Sequence, residues 1–425
     1  MTVLGMVTEY NPFHNGHLLH LQKSQKITSA DYTIAIMSGN FVQRGEPAIV
    51  NKWARASMAL SSGVDLVIEL PVIYATASAE FFAWAAVKLL DSLGIVNSIC
   101  FGSETGDLAP LNTIAEILVD EPDKYKEYLK QYLGSGLSFP TSREKAIYRY
   151  IQLNDNCHSL YEDKFINNLI SKDTLGCSNN ILGIEYLKAL KRLNSNIVPF
   201  TIKRQTNLYN EEKLTGTISS ATAIRKYIKQ SDSQSINYAL PLKSMDIMEQ
   251  EFQKGKGPVL MNSFESIIFA VLRKISTDTI KKYPNINEGL ENRIKKAANI
   301  SGNLEELIDN ICTKRYTRTR VQRIILSILL DITDEEFQCF NTHGGPQYIR
   351  VLGFNEKGRE LLSKINKAAN LPVIIKTSNF SNSNNLLLKR MLELEALTTD
   401  IYVLGYKNPG FRYSGQEYTE NVIIM

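Results

Sequence analysis

His14 and His17 flank Asn15-Gly16 directly after the first apolar run of the chain, Val3–Val7. A strand, a turn through Asn11-Pro12 and then His-x-Gly-His opening a helix is an arrangement suited to nucleotide chemistry. The first turn of a helix carries free N–H groups and the positive end of its dipole, so it can hold a phosphate. Gly16 is expected to clear side-chain bulk where that phosphate nears the backbone. Histidines three apart lean toward one face and can donate hydrogen bonds to an α-phosphate in its transition state. The plain alternatives are a helix cap or a metal pair, and a four-residue match arises often by chance. Position favours chemistry, because ligands of open α/β sheets bind at the carboxyl ends of strands.

A second group lies at Ile218–Arg225. Ser219 and Ser220 offer hydroxyls and open backbone N–H groups at a helix start, and Arg225 can fork onto phosphate oxygens. Taken alone, an ordinary serine cap followed by a surface arginine would account for it.

The elements that must hold these groups read as alternating strand and helix over the first 105 or so residues. Strands are expected at Val3–Val7, Tyr32–Met37, Leu66–Leu70 and Val96–Phe101, with helices at His17–Gln25, Lys52–Ser61 and Ser78–Leu93. Such an order predicts a parallel, doubly wound sheet with buried strands. Residues 109 to 192 are mostly helical in pattern, Val198–Lys203 is one more strand, and Thr222–Lys229 is a helix. The polar, aperiodic stretch from Lys229 to about Gly257 reads as a linker. Beyond it, Ser263–Ile275, Asn287–Ala298 and Leu304–Leu330 carry helical spacing, and Leu371–Ile375 and Asp400–Leu404 look like short strands. The expected organisation is therefore an α/β, Rossmann-like domain over 1–235 and a mainly helical domain over 236–425.

Several strings go beyond the two phosphate groups. They are Gly5–His17 (GMVTEYNPFHNGH), Met37–Ala48 (MSGNFVQRGEPA), Asp65–Pro71 (DLVIELP), Phe101–Glu104 (FGSE), Asn179–Tyr186 (NNILGIEY), Ile202–Arg204 (IKR) and Ser220–Arg225 (SATAIR). Weaker continuations are Lys314–Thr317 (KRYT) and Ile349–Gly353 (IRVLG). The paired phosphate groups resemble those of the HIGH-type nucleotidyltransferase superfamily. The full set, in order, resembles the bacterial tRNA(Met) cytidine acetate ligase family. Two positions depart from its pattern: Ala221-Thr222 interrupts the usual serine–threonine run, and Ser178 stands where Pro is expected before Asn-Asn. The polar stretch Leu153–Asp163 reads as an insertion.

The resemblance implies that ATP and acetate form acetyl-adenylate and pyrophosphate. The acetyl group then passes to N4 of the wobble cytidine of elongator tRNA(Met), leaving AMP. It implies ATP contacts from Val7, Thr8, Glu9, Tyr10, Asn11, Pro12, Phe13, His14, Asn15, Gly16, His17 and His20. Gly102, Asn179, Asn180, Lys203, Arg204, Ser219, Ser220 and Arg225 complete that set. His14 and His17 are the expected catalytic pair. Of Asn179 and Asn180, one is expected to cap a helix and one to bind. Gln43 and Arg44 could hold the acetate carboxylate or the tRNA end of the site, since Arg offers a bidentate fork. Mg²⁺ is expected to arrive with ATP and to keep mostly water and phosphate ligands, with no dedicated protein metal site. The tRNA surface is sought at Lys314, Arg315, Tyr316, Arg318, Arg320 and Arg323, where basic side chains beside an aromatic can hold phosphates and stack a base. Lys314 and Arg318 are expected to share a helix face.

Composition narrows the competing classes. With 44% hydrophobic and 22% charged residues, the chain can fill a globular core. A net charge of +4 is too small by itself to argue for nucleic acid. Five cysteines without a CxxC pair point to reduced thiols rather than zinc or disulfides. No basic, apolar leader or membrane-length apolar run is found, so a cytoplasmic protein without membrane partners is expected. Two other functions share the motifs: an adenylyltransferase acting on a small phosphorylated substrate, and a non-catalytic RNA-binding protein on the same scaffold. The long helical half argues against the first and the intact His and Ser/Arg groups against the second. Oligomeric state is left open.

Overall fold

The computed structural model describes residues 1–153, 174–204, 218–230, 236–380 and 383–425. Most of the Leu153–Asp163 stretch and residues 231–235 of the expected linker lie outside them.

One twisted sheet organises the molecule. Its strands are β1 (Val3–Thr8), β2 (Tyr32–Ser38), β5 (Leu66–Leu70), β6 (Ser98–Ser103), β7 (Val198–Lys203), β8 (Ile349–Phe354), β9 (Val373–Ile374) and β10 (Ile423–Ile424). A separate short hairpin pairs β3 (Phe41–Val42) with β4 (Glu46–Pro47). The order across the sheet is β10-β8-β5-β2-β1-β6-β7, with β9 beside β8. Strands β5, β2, β1, β6 and β7 are mutually parallel. From β1 the chain winds outward through β2 to β5, then returns to the far side of β1 as β6 and β7. The crevice between β1 and β6 is therefore the switch point where such sheets bind ligands.

The two faces of the sheet bury separate apolar clusters. Helices Ala79–Ser92, Leu108–Asp120 and Ser178–Arg192 cover one face, through residues such as Leu89, Leu90, Ile114 and Leu187. The other face is covered by α1 (Asn15–Thr28), α2 (Lys52–Ser61) and the helix Leu242–Gln253, through Leu21, Met58 and Met248. The first cluster runs on without a break to Ile325 and Leu392 in the helical second half.

Several expectations are corrected. The stretch expected as a linker contains the helix Leu242–Gln253, whose Met245 and Met248 pack as a helical pair. Asp400–Leu404 is no strand but the end of the helix Leu386–Val403; burial of Leu388, Met391, Leu392, Glu395, Thr399 and Tyr402 keeps helical spacing to its last turn. Leu304–Leu330 is broken into Leu304–Ile311 and Arg318–Leu329. Lys314 to Thr317 thus precede the second helix, and Lys314 and Arg318 do not share a helix face.

Among the strands not foreseen (β3, β4, β8 and β10), β8 runs antiparallel to β5. Arg350 interrupts its apolar run, yet is fully buried. Its Nε lies 3.6 Å from Glu417 Oε1, and Glu417 Oε2 lies 2.6 Å from Lys52 Nζ, which also meets Glu69 Oε1 at 2.7 Å. Paired burial makes these charges tolerable; removing one partner of such a pair costs about 3–5 kcal/mol. The strands β8, β9 and β10 all come from beyond residue 235, so the sheet draws on both halves of the chain. No helix among the described residues is long and apolar enough to cross a membrane.

Candidate active site

The turn after β1 passes through Tyr10, at φ 47°, and a cis Asn11–Pro12 bond into His14, the N-cap of α1. The two histidines form a reciprocal cap. Gly16 N–H donates to His14 Nδ1 at 3.0 Å, and His14 N–H donates to His17 Nδ1 at 3.4 Å. With His14 Nδ1 accepting at 3.0 Å, its neutral ring carries the proton on Nε2. The rings stack with centroids 3.7 Å apart and planes 25° apart, and Tyr10 stands edge-on to His17 at 5.0 Å.

Burial pushes His14 down to about 3, helped by the charges of Arg204 and Arg225. It holds His17 well below its ordinary range, with His14, Arg204 and His20 adding to the effect, and pushes His20 to about 4. The pair are therefore neutral hydrogen-bond donors at neutral pH. Gly16 also has a local reason to be glycine: a Cβ there would come within 2.8 Å of His14 Cε1. The glycine makes room for the capping imidazole.

A cavity of about 260 Å³ opens at the switch point. It gathers Val7, Thr8, Glu9, Tyr10, His14, Gly16, His17, His20, Gln43, Arg44, Gly102, Asn179, Lys203, Arg204, Ser220 and Arg225, all foreseen from the sequence. The remaining expected residues support it from behind. Phe13 is in the core; Asn11 accepts Ile49 N–H through its side chain at 2.8 Å and the Arg225 guanidinium through its carbonyl at 2.9 Å. Pro12 is part of the turn, and Asn15 reaches away to the Tyr238 carbonyl at 2.8 Å. Ser219 is buried, and Asn180 accepts Glu104 N–H at 2.9 Å, fixing the loop after β6. Neither asparagine is the helix cap, which is Cys177. Asn179 faces the cavity, donating to Glu104 Oε1 at 2.6 Å and accepting from Arg204 at 2.8 Å. A side chain at Gly102 would meet Arg204 Cγ at 3.2 Å.

Ser220 is the N-cap of the helix Ala221–Lys229, accepting Ala223 N–H at 3.1 Å. Arg225, one turn on, is 2.7 Å from Glu46 Oε1 in β4. Arg44, in the same hairpin, donates to Thr222 Oγ1 at 3.3 Å. Sequence reasoning missed Lys23, Phe82, Leu182 and Tyr186 in the lining. Lys23 lies one turn beyond His20, and Leu182 and Tyr186 share a helix face with Asn179, so helical spacing could have found them. It also missed Arg55, whose buried guanidinium donates to the carbonyls of Glu9 at 2.6 Å, Ser38 at 3.0 Å and Gly39, tying the ends of β1 and β2 together. Among the described residues, no group of three or more His, Cys, Asp or Glu could hold a metal ion.

The basic segment is arranged differently. Arg315 pairs with Glu288, and Arg318 with Glu305 and with Asp309 at 2.6 Å. Tyr316 is buried, its hydroxyl donating toward Asn287 at 3.0 Å, so it is not free to stack a base. The Arg320 guanidinium lies 4.8 Å over the Tyr316 ring. Burial lowers Arg323 to about 10. Lys314 is exposed. The helix carrying Arg323 packs on the active-site hairpin: a Cβ at Gly45, where φ is 78°, would strike the backbone of Gln322 and Arg323.

Comparison with known proteins agrees with this geometry. A family model described as HIGH Nucleotidyl Transferase matches residues 1–417. The chain is 52% identical over 429 residues to a tRNA(Met) cytidine acetate ligase of Acetivibrio thermocellus, covering 100% of both. It is 48% identical to the like-named protein of Thermoanaerobacter sp., over 96% of each. The crystal structure of Thermotoga maritima TmcAL bound with alpha-thio ATP superimposes with a TM-score of 0.91 at 37% identity, over 100% of both chains.

Proposed function

This chain belongs to the HIGH nucleotidyltransferase family and, within it, to the tRNA(Met) cytidine acetate ligases, and on that premise we propose that it activates acetate with ATP and acetylates N4 of the wobble cytidine of elongator tRNA(Met). The carrying observation is the pair of buried, reciprocally capped histidines in one cavity with Arg204 and Arg225. Acetate is already ionised at neutral pH, so its oxygen needs no base to attack the α-phosphate. The chain's task in that step is to position the reactants and spread charge. His14 and His17 donate to the α-phosphate oxygens as negative charge builds there. Arg225, Lys203 and the amides at the Ser220 helix start hold the leaving pyrophosphate. Gly102, Asn179 and Arg204 meet the nucleoside end, while Asn11, Asn15, Asn180 and Ser219 hold the contacting loops in place. Gln43 and Arg44 orient the acetate. Mg²⁺, when bound with the nucleotide, supplies charge neutralisation on the phosphates, with phosphate and water as its ligands.

The functional division falls near residue 235: residues 1–235 activate acetate, and 236–425 engage the tRNA while also completing the sheet. Lys314, Arg320 and Arg323 are the members of the basic segment retained for tRNA contact. A tRNA substrate places the work in the cytoplasm.

The test is pyrophosphate release from ATP by the purified protein, with and without acetate and with and without tRNA(Met). Acetate-dependent release, with acetyl appearing on the cytidine, is expected. ATP binding without any acetate response would overturn the proposal in favour of an adenylyltransferase of a phosphorylated substrate.

A further inference from the structure

Apart from Glu9, the ionisable side chains lining the cavity are basic or phenolic. A site that takes a polyphosphate has an electrostatic reason to exclude a carboxylate, since like charges at short range repel strongly in a low-dielectric interior. Glu9 is nevertheless held there firmly. It stands at the end of β1, and its Oε1 accepts Gln43 N–H at 2.8 Å. Among the described residues no protein donor meets its Oε2, and the residue lines the cavity.

Adenylation asks no group to take a proton, since acetate is already ionised, but acetyl transfer does. N4 of the cytidine attacks the acetyl carbonyl carbon and a C–N bond forms. The C–O bond to the phosphate breaks, and its electron pair leaves with AMP. The nitrogen then carries one proton too many. We propose that Glu9 is the general base of acetyl transfer, taking the N4 proton at Oε2 and later releasing it to water. The assignment presupposes the acetate ligase activity proposed above.

The groups facing Glu9 suit the role. Arg225 comes from the helix Ala221–Lys229, Arg44 and Glu46 from the hairpin, Tyr186 from the helix Ser178–Arg192, and Arg55 from α2. Burial raises Glu9 above the ordinary carboxylate range, while the Gln43 N–H, Arg225 and Arg44 pull the other way. A carboxylate shifted toward neutrality is a better base for an amine proton.

The competing explanation is a latch, with Glu9 present only to hold the Gln43 amide. Glu9→Gln separates the two, because a carboxamide oxygen still accepts that N–H. Two rates are measured over about pH 5 to 8: acetate-dependent ATP–pyrophosphate exchange, and single-turnover transfer from chemically prepared acetyl-adenylate to tRNA(Met). In E9Q, transfer is expected to fall by about 10²-fold or more, at least about tenfold further than exchange falls. The acid-side rise in the wild-type transfer rate is expected to disappear. Equal losses in both rates, or an acid-side rise surviving in E9Q, would overturn the assignment. A wild-type protein with no acetate-dependent exchange would overturn the ligase proposal itself, and Glu9's role with it, on that arm alone.

Discussion

Two clusters of positive charge, the cavity and the segment Lys314–Arg323, look alike in sequence and differ in three dimensions. In the cavity, Lys23, Arg44, Arg204 and Arg225 come from four separate stretches and converge beside the neutral pair His14 and His17. In the segment, the basic residues are neighbours in the chain, but Glu288, Glu305 and Asp309 come in from elsewhere and neutralise two of them. Density of charge along a chain is therefore a poor guide to potential. What counts is whether partners arrive from other elements, and an exposed ion pair is worth little in either direction.

The comparison can be broken most easily at the histidines. Replacing His14 and His17 together by Ala is expected to lower acetate-dependent pyrophosphate release by about 10³-fold or more, since one lost transition-state donor costs about 10²–10³-fold. The melting temperature should fall only by what a lost helix cap costs, about 1 kcal/mol of stability. A double variant within tenfold of wild type would remove the cavity's claim to be the catalytic centre. Arg225→Gln comes next. It gives up a charge-assisted hydrogen bond worth about 1.5–3 kcal/mol, so the KM for ATP or the rate should worsen by about 10–100-fold. In the segment, Arg318→Gln should change the KM for tRNA less than about threefold, because its charge is already balanced. Lys314→Glu should change it more; the reverse ranking would show that the ion pairs open when tRNA binds.

The smallest effect is expected from pH. His14 lies near 3 and His17 well below 6.5, so neither titrates between about pH 6 and 8, and exchange should show no histidine limb there. Stability behaves otherwise. Below 6.5 the unfolded chain protonates these histidines while the folded chain does not, so the unfolded state binds more protons. Stability is then lost as pH falls from 6.5 toward 3, and melting curves over that range should show it.

The cavity was largely legible because its residues sit in contiguous strings at strand ends, where strand, turn and helix start are all local. Val198–Lys203 was read to the residue for the same reason. What escaped depends on partners far along the chain. Arg350 disguised β8 because Glu417, its partner, lies in another segment. The buried state of Tyr316 follows from Asn287, and Arg55 acts through three carbonyls that carry no sequence signal. Gly16 has a second role that spacing did not suggest, because the imidazole that fills the space beside it folds back from only two residues away.

Strand β8 has a practical consequence for anyone wishing to isolate the two half-reactions. Cutting the chain near residue 235 would strip β8 from β5 and lay bare Leu66–Leu70, a fully buried run, as an open sheet edge. Unprotected apolar edges template self-association. Such a fragment should precipitate rather than serve as a minimal adenylating unit, and the two chemistries are better uncoupled by point substitution than by dissection.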